Sequence, residues 1–293
     1  MTHLVLGGTG NVGSAVVRGL LEKGETVRVL TRSPEKAKTL PAGVTAVTGD
    51  LNDPTTFPQI FTRDVDGLFL LNAVAPSELQ EGLCALAEAK RAGVKRLVYL
   101  SVHNVTDGPH IPHFASKIAI ESAIRTSGLP YTILQPNNFY QNDVHFLDAI
   151  TKYGVYPQPL GSVGVSRVDV RDVAAAAVRA LTGSEHVNKT YTLAGPQAWT
   201  GEATAAEWGQ AIGREVRYAG DDLVAWAEQM RQYLPAWMVY DFGLMYAMFQ
   251  SKGLKATGAQ LEETETIVGA PPRRYQDYVA EVAATLSGTG SAT

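Results

Sequence analysis

Short apolar runs alternate with longer segments of helical period through the first two thirds of the chain. The runs at 3–7, 26–31, 44–48, 67–72, 96–101 and 131–135 read as strands, and several are continuous rather than alternating: Leu4-Val5-Leu6, Leu68-Phe69-Leu70-Leu71 and Leu97-Val98-Tyr99-Leu100. A strand apolar on both sides is covered on both faces, as in a parallel sheet between two helical layers. Helical patterns fill the gaps at 11–23, 34–39, 54–60, 77–92 and 114–127, and Gly24, Gly93 and Gly128 stand where helices stop. Repeated strand–helix units predict an α/β fold with a doubly wound parallel sheet.

After Pro136 the alternation loosens. A helix is expected at 143–152, then a Gly/Pro-rich stretch at 153–164, a further strand and helix within 165–181, and a strand at 189–194. From Trp199 onward the chain reads as helical and rich in large side chains, among them Trp208, Trp226, Trp237, Phe242, Tyr246 and Phe249. This predicts a sheet domain over 1–155, with returns to the sheet near 165–195, and a smaller, mostly helical C-terminal lobe over 196–293 packed on the C-terminal edge of the sheet. The run 234–249 is apolar on most faces, so it is expected to be buried or to cover a ligand. The small, polar residues 287–293 are expected to fray.

Composition narrows the class. Of 293 residues, 45% are apolar and 18% charged, an ordinary globular balance, with a net charge of −4. Without a lysine- or arginine-rich run, no nucleic-acid partner is expected. The one cysteine, Cys84, excludes an intrachain disulfide and sits in an apolar helical stretch as a small hydrophobe. The N-terminus enters a strand at once, with no basic segment followed by an apolar one, and no apolar run approaches the roughly 18 residues that span a bilayer. A cytoplasmic protein without a membrane partner is therefore expected; a homodimer is left open.

The strongest local signal is Gly7-Gly8-Thr9-Gly10-Asn11-Val12-Gly13, between the first strand and the first helix. The spacing G-x-x-G-x-x-G is a variant of the dinucleotide fingerprint. One glycine permits the tight turn, one lets the backbone approach a pyrophosphate, and one lets helix and strand pack closely. The helix N-terminus, with amides such as those of Asn11 and Val12, then faces the phosphates. These features predict a Rossmann-type domain that binds a dinucleotide. NAD-binding domains place an acid roughly 20 residues further on for the ribose 2′-hydroxyl. Here the second strand ends Thr31-Arg32-Ser33, with no carboxylate. Arg32 suits a 2′-phosphate, Thr31 and Ser33 offer hydroxyls and Lys36 adds charge, so NADP(H) is the expected cofactor. Asp50 and Leu51, ending the third strand, could bracket the adenine. Asn72 and Ala73, ending the fourth, leave room for the cofactor.

Together with Val98 to Ser101, the Lys117 helix, Leu134-Gln135-Pro136-Asn137-Asn138-Phe139, Val168-Asp169-Val170-Arg171-Asp172-Val173 and Tyr191-Thr192-Leu193-Ala194-Gly195-Pro196, these segments resemble the NmrA-like branch of the atypical short-chain dehydrogenases/reductases. The resemblance spans residues 1 to about 200 in order. It implies an NADP(H)-dependent oxidoreductase similar to quinone and triphenylmethane reductases, although some relatives only sense NADP(H). It implies that Pro136, Asn137, Asn138 and Phe139 contact the nicotinamide end. It also supplies a comparison for chemistry. The wider superfamily carries Tyr-x-x-x-Lys, two residues on one helical face. Here the segment reads His113-Phe114-Ala115-Ser116-Lys117, so the lysine is kept and the tyrosine is not. Lys117 is the expected ribose ligand. His113 is a candidate acid, since histidine is the side-chain type that exchanges protons near neutral pH. Ser101 lies where the nicotinamide should, His103 and Asn104 follow on the same loop, and Tyr140 is the other candidate for a substitute acid. No metal-binding or Gly-x-Ser-x-Gly pattern is present. The expectation is a reductase that passes hydride from NADPH to a small flat apolar acceptor such as a quinone, an enone or a dye; the rival is a non-catalytic NADP(H)-sensing regulatory protein.

Overall fold

The structure, a computed structural model, describes residues 1–288; residues 289–293 lie outside it, and with them most of the segment expected to fray. In chain order the elements are β1 (Thr2–Val5), α1 (Asn11–Glu22), β2 (Thr26–Thr31), α2 (Pro34–Ala37), β3 (Val44–Thr48), α3 (Phe57–Ile60), β4 (Gly67–Leu70), α4 (Glu78–Ala92), β5 (Arg96–Leu100), α5 (Pro112–Thr126), β6 (Tyr131–Pro136), α6 (Leu147–Tyr153), β7 (Val155–Tyr156), α7 (Val170–Thr182), β8 (Lys189–Leu193), α8 (Gly201–Ile212), β9 (Arg217–Tyr218), α9 (Leu223–Met230), α10 (Ala236–Lys252), α11 (Gly258–Val268) and α12 (Tyr275–Gly288). They form two compact units. The first comprises Met1–Pro136, Val170–Leu193 and Glu263–Ala270; the second comprises Asn137–Asp169, Ala194–Glu262 and Pro271–Thr293.

The first unit is an α/β sandwich around a seven-stranded sheet in the order β3-β2-β1-β4-β5-β6-β8. Every pairing is parallel. β4 and β5 are buried along almost their whole length, as continuous apolar runs require. One face is filled by Leu4, Leu6, Leu68, Leu70, Leu97 and Tyr99 against Phe57 and Ile60 of α3, Ala85 and Ala89 of α4, and Ile120 and Ile124 of α5. Cys84 is partly buried against this cluster, as a small hydrophobe would be. On the other face α1 meets α7 closely: a Cβ on Gly19 would lie 2.9 Å from Val178 Cγ2. The free edge of β8 is covered from α11. Glu263 accepts from the Thr192 amide and the Thr264 hydroxyl donates to its carbonyl, both at 3.0 Å. Those bonds occupy backbone groups that an edge strand would otherwise leave open.

The second unit is mostly helical, with a two-stranded parallel pairing of β7 and β9. Its centre is polar. Asp143 is wholly buried and accepts from Arg167 Nη2 at 2.8 Å and Nη1 at 3.2 Å, Gln158 Nε2 at 2.7 Å, the Tyr156 hydroxyl at 2.9 Å, Trp208 Nε1 at 3.1 Å and the Tyr275 hydroxyl. Two expectations are corrected here. Residues 140–146 form a 3-10 turn and the helix starts only at Leu147, because Asp143 turns inward. No strand forms near Val165: its backbone pairs with Trp199, while Val168 exchanges bonds with Asn138 and Tyr140, so the segment is satisfied piecemeal. The apolar run over α10 is buried on one side, at Val239, Met248 and Phe249, while Trp237 is 38% and Tyr240 68% exposed. Among the described residues no helix is long and apolar enough to cross a membrane.

Candidate functional site

The strand order reverses between β1 and β4, so the chain leaves these neighbours in opposite directions and opens a crevice at their C-terminal ends. The glycine segment borders it. Gly7 has φ +68°, and a Cβ there would lie 3.0 Å from Leu71 Cγ, at the end of β4. The Gly10 amide donates to the Gly7 carbonyl at 3.0 Å and closes the turn. Gly13 is the tightest position: a Cβ would sit 2.1 Å from the Gly7 oxygen and 2.8 Å from Gly8 Cα. A side chain there would push α1 off the loop. Gly10 caps α1 without a side chain, and the first turn holds no acid. The helix therefore presents Asn11 and Val12 to an anion with no internal competitor. Thr9 is exposed between the glycines. A cavity of about 260 Å³ beside the loop is lined by Gly8, Thr9, Ser14, Arg18, Thr39 and Leu40.

At the end of β2, Arg32 is exposed and makes no hydrogen bond or ion pair among the described residues. Its neighbours are committed. The Thr31 hydroxyl donates to the Ser33 carbonyl and accepts from the Ser33 amide, each at 3.2 Å. The Ser33 hydroxyl accepts from the Lys36 amide, capping α2, and donates to Glu35 at 2.8 Å. That donation holds the exposed Glu35 carboxyl below its usual pKa. Lys36 itself is exposed. Asp50, at the end of β3, accepts from the Asn52 amide at 2.9 Å in a local turn, and Leu51 belongs to the core.

The ends of β4 and β5 carry buried polar groups. Asn72 is 5% and Ser101 4% exposed, yet the Asn72 amide and the Ser101 hydroxyl find no partner among the described residues. Ala73 beside Asn72 is exposed. On α5, His113, Lys117 and Glu121 fall at successive intervals of four, and all three are buried. Lys117 Nζ donates to Glu78 Oε1 of α4 at 2.5 Å. Glu121 accepts from Gln135 at 2.8 Å and Arg125 at 3.0 Å. His113 meets the Phe114 ring edge-on at 4.8 Å. Tyr99 points its hydroxyl into this interior with no hydrogen-bond partner among the described residues; burial pushes its phenol well up, and Glu78 and Glu121 push the same way. His103 is wholly buried and its amide donates to the Pro136 carbonyl at 2.9 Å; Asn104 takes a left-handed conformation, φ 49°.

Pro136 ends β6, whereas Asn137, Asn138 and Phe139 belong to the second unit. Asn137 donates to the Leu254 carbonyl at 2.8 Å and accepts from the Asn138 amide at 2.8 Å. Asn138 Oδ1 accepts from Arg167 Nε at 3.0 Å. Phe139 is half-buried, and its carbonyl accepts from Arg167 Nη2 at 2.8 Å. Tyr140 is withdrawn as a substitute acid: it is wholly buried, donates to the Arg273 carbonyl at 3.0 Å and packs on Tyr275. Sequence reasoning missed Glu78. An acid in the first turn of a helix reads as a complement to the helix dipole, and only tertiary packing reveals its lysine. Among the described residues no three His, Cys, Asp or Glu are grouped to hold a metal.

The family model described as NmrA-like family matches residues 2–270. The chain is 34% identical over 291 residues to the NAD(P)H azoreductase of Xenophilus azovorans, covering 97% of this chain and 98% of the relative. The crystal structure of Citrobacter sp. triphenylmethane reductase complexed with NADP(H) superposes with a TM-score of 0.83 at 25% identity, over 96% of this chain and 99% of that one. The NADPH-dependent quinone oxidoreductase of Escherichia coli complexed with NADPH shares the fold, with a TM-score of 0.85 at 24% identity over 96% and 99% of the two chains.

Proposed function

The chain belongs to the NmrA-like family, and on that premise we propose that it is an NADPH-dependent reductase of small, flat, apolar acceptors of the quinone or dye type, azo dyes included. The observation that carries the reading is the row of strand ends along one edge of the sheet: a glycine loop with no room for a side chain at Gly7 or Gly13, an Arg32 without a hydrogen bond or ion pair among the described residues, and buried polar groups at Asn72 and Ser101 that find no partner among them. The residues fit the cofactor. The α1 N-terminus receives the pyrophosphate, Arg32 the 2′-phosphate, and Asn72, Ser101 and Lys117 the nicotinamide riboside. Buried polar atoms cost free energy until something satisfies them, and a ribosylated amide brings donors and acceptors together.

Bound NADPH supplies the hydride. The protein's part is to orient the acceptor and exclude water. With His113 in the tyrosine position and the Lys117 charge balanced by Glu78, the chain does not carry the usual arrangement for protonating a carbonyl. That favours acceptors which take hydride with little proton transfer in the transition state. Purified protein should oxidise NADPH, followed by loss of its near-ultraviolet absorbance, with at least one member of a panel of quinones, azo dyes and cationic dyes. Tight NADP(H) binding with no turnover across the panel would replace the reductase by the sensor.

A further inference from the structure

Lys117 is the superfamily residue this chain keeps, and its ammonium is pinned. Lys117 and Glu78 bond at 2.5 Å with side chains 8% and 1% exposed. An ion pair so far from water is held only where geometry and further hydrogen bonds offset its desolvation. Lys117 makes no other hydrogen bond among the described residues, so two of its three donors remain. The surroundings locate the pair. Gly82 lies one helical turn after Glu78, and Ile120 three residues after Lys117. A Cβ on Gly82 would stand 2.5 Å from Ile120 Cδ1 and 3.4 Å from Asn72 Oδ1. The ion pair and the Gly82–Ile120 contact are therefore successive rungs of the α4–α5 packing, and Asn72 sits at the second rung.

Resting on the NADP(H)-binding reading above, we propose that Glu78 is a positioning residue: it holds the Lys117 ammonium in place as a charge-balanced hydrogen-bond donor to the nicotinamide ribose. In the superfamily the lysine works beside a tyrosine. Here the carboxylate takes over the task of fixing it, which explains how the lysine is retained when the tyrosine is not. Without Glu78 the ammonium would be buried and unpaired, and would reorient toward water.

Two ligands separate this role from a merely structural one. NADPH spans the whole site, whereas adenosine 2′,5′-bisphosphate carries the 2′-phosphate half and lacks the nicotinamide ribose. Affinities are measured by calorimetry on the full chain. Glu78→Gln and Lys117→Met should each weaken NADPH about 10- to 100-fold, the worth of a charged hydrogen bond, and leave the bisphosphate within about twofold. The double variant Glu78→Gln/Lys117→Met should be no worse than Lys117→Met alone, since Glu78 acts through the lysine. It carries no buried unpaired charge, so it keeps the test if a single variant folds poorly. Unchanged NADPH affinity in Glu78→Gln, equal losses for both ligands, or additive losses in the double variant would overturn the proposal. Wild-type protein that binds neither ligand overturns the NADP(H) reading itself.

Discussion

Arg32 is surrounded by polar groups that have already spent their hydrogen bonds: Thr31 on its own turn, Ser33 on α2 and Glu35. Discrimination between the two nicotinamide nucleotides therefore falls on the Arg32 guanidinium, with the exposed Lys36 adding positive charge on α2. Arg32→Asp should weaken NADPH about 10- to 100-fold and NADH by no more than about fivefold, in fluorescence titrations of both. Equal losses would remove Arg32 from the 2′-phosphate. At position 113 the expectation is narrower. If His113 donates a proton, His113→Phe lowers turnover and leaves the NADPH dissociation constant where it was; unchanged turnover takes it out of the mechanism. These residues were legible because each stands at a fixed place relative to a strand end or a helical repeat. Glu78, Tyr99 and the commitments of Asn137 and Asn138 were not, because each is defined by a partner remote in sequence.

The strands of the first unit were legible as elements because a buried parallel strand is a continuous apolar run, and the borders of β2 and β3 fall where the pattern stops. Legibility failed near Val165 and at 140–146, where buried backbone is satisfied by scattered partners and leaves no periodic trace. The loop before α1 offers a test of what its glycines do. Gly13→Ala places a methyl 2.1 Å from the Gly7 carbonyl, so the helix must shift away from the loop. Gly24→Ala forces a side chain into a left-handed conformation, φ +73°, but meets nothing within 4 Å. The second should cost about 1 kcal/mol of stability and keep NADPH binding. The first should abolish the rise in melting temperature on adding NADPH, measured by differential scanning fluorimetry. A normal ligand-induced rise in Gly13→Ala would mean that the helix N-terminus is not the phosphate site.

Over the whole molecule the two units are stabilised differently. The first rests on an apolar core between sheet and helices; the second is organised around a buried charge. Nothing in the spacing of Asp143 marks it as a centre, since one carboxylate in a short helical stretch reads as a surface residue. Yet Arg167, Gln158, Tyr156, Trp208 and Tyr275 all donate to it, and the desolvated phenols of Tyr156 and Tyr275 are pushed well up and stay protonated to do so. Asp143→Ala leaves the Arg167 guanidinium buried without its counter-charge, a loss of about 3–5 kcal/mol. Removing both charges with Asp143→Ala/Arg167→Met deletes the unpaired ion and should recover part of that loss. The chain provides its own probe: all four tryptophans, Trp199, Trp208, Trp226 and Trp237, lie in the second unit. Urea unfolding followed by tryptophan fluorescence should show a sharply lower midpoint for Asp143→Ala and an intermediate one for the double variant. A double variant less stable than Asp143→Ala would mean that Arg167 holds the unit together through its backbone acceptors, the carbonyls of Phe139 and Tyr140, rather than through its charge.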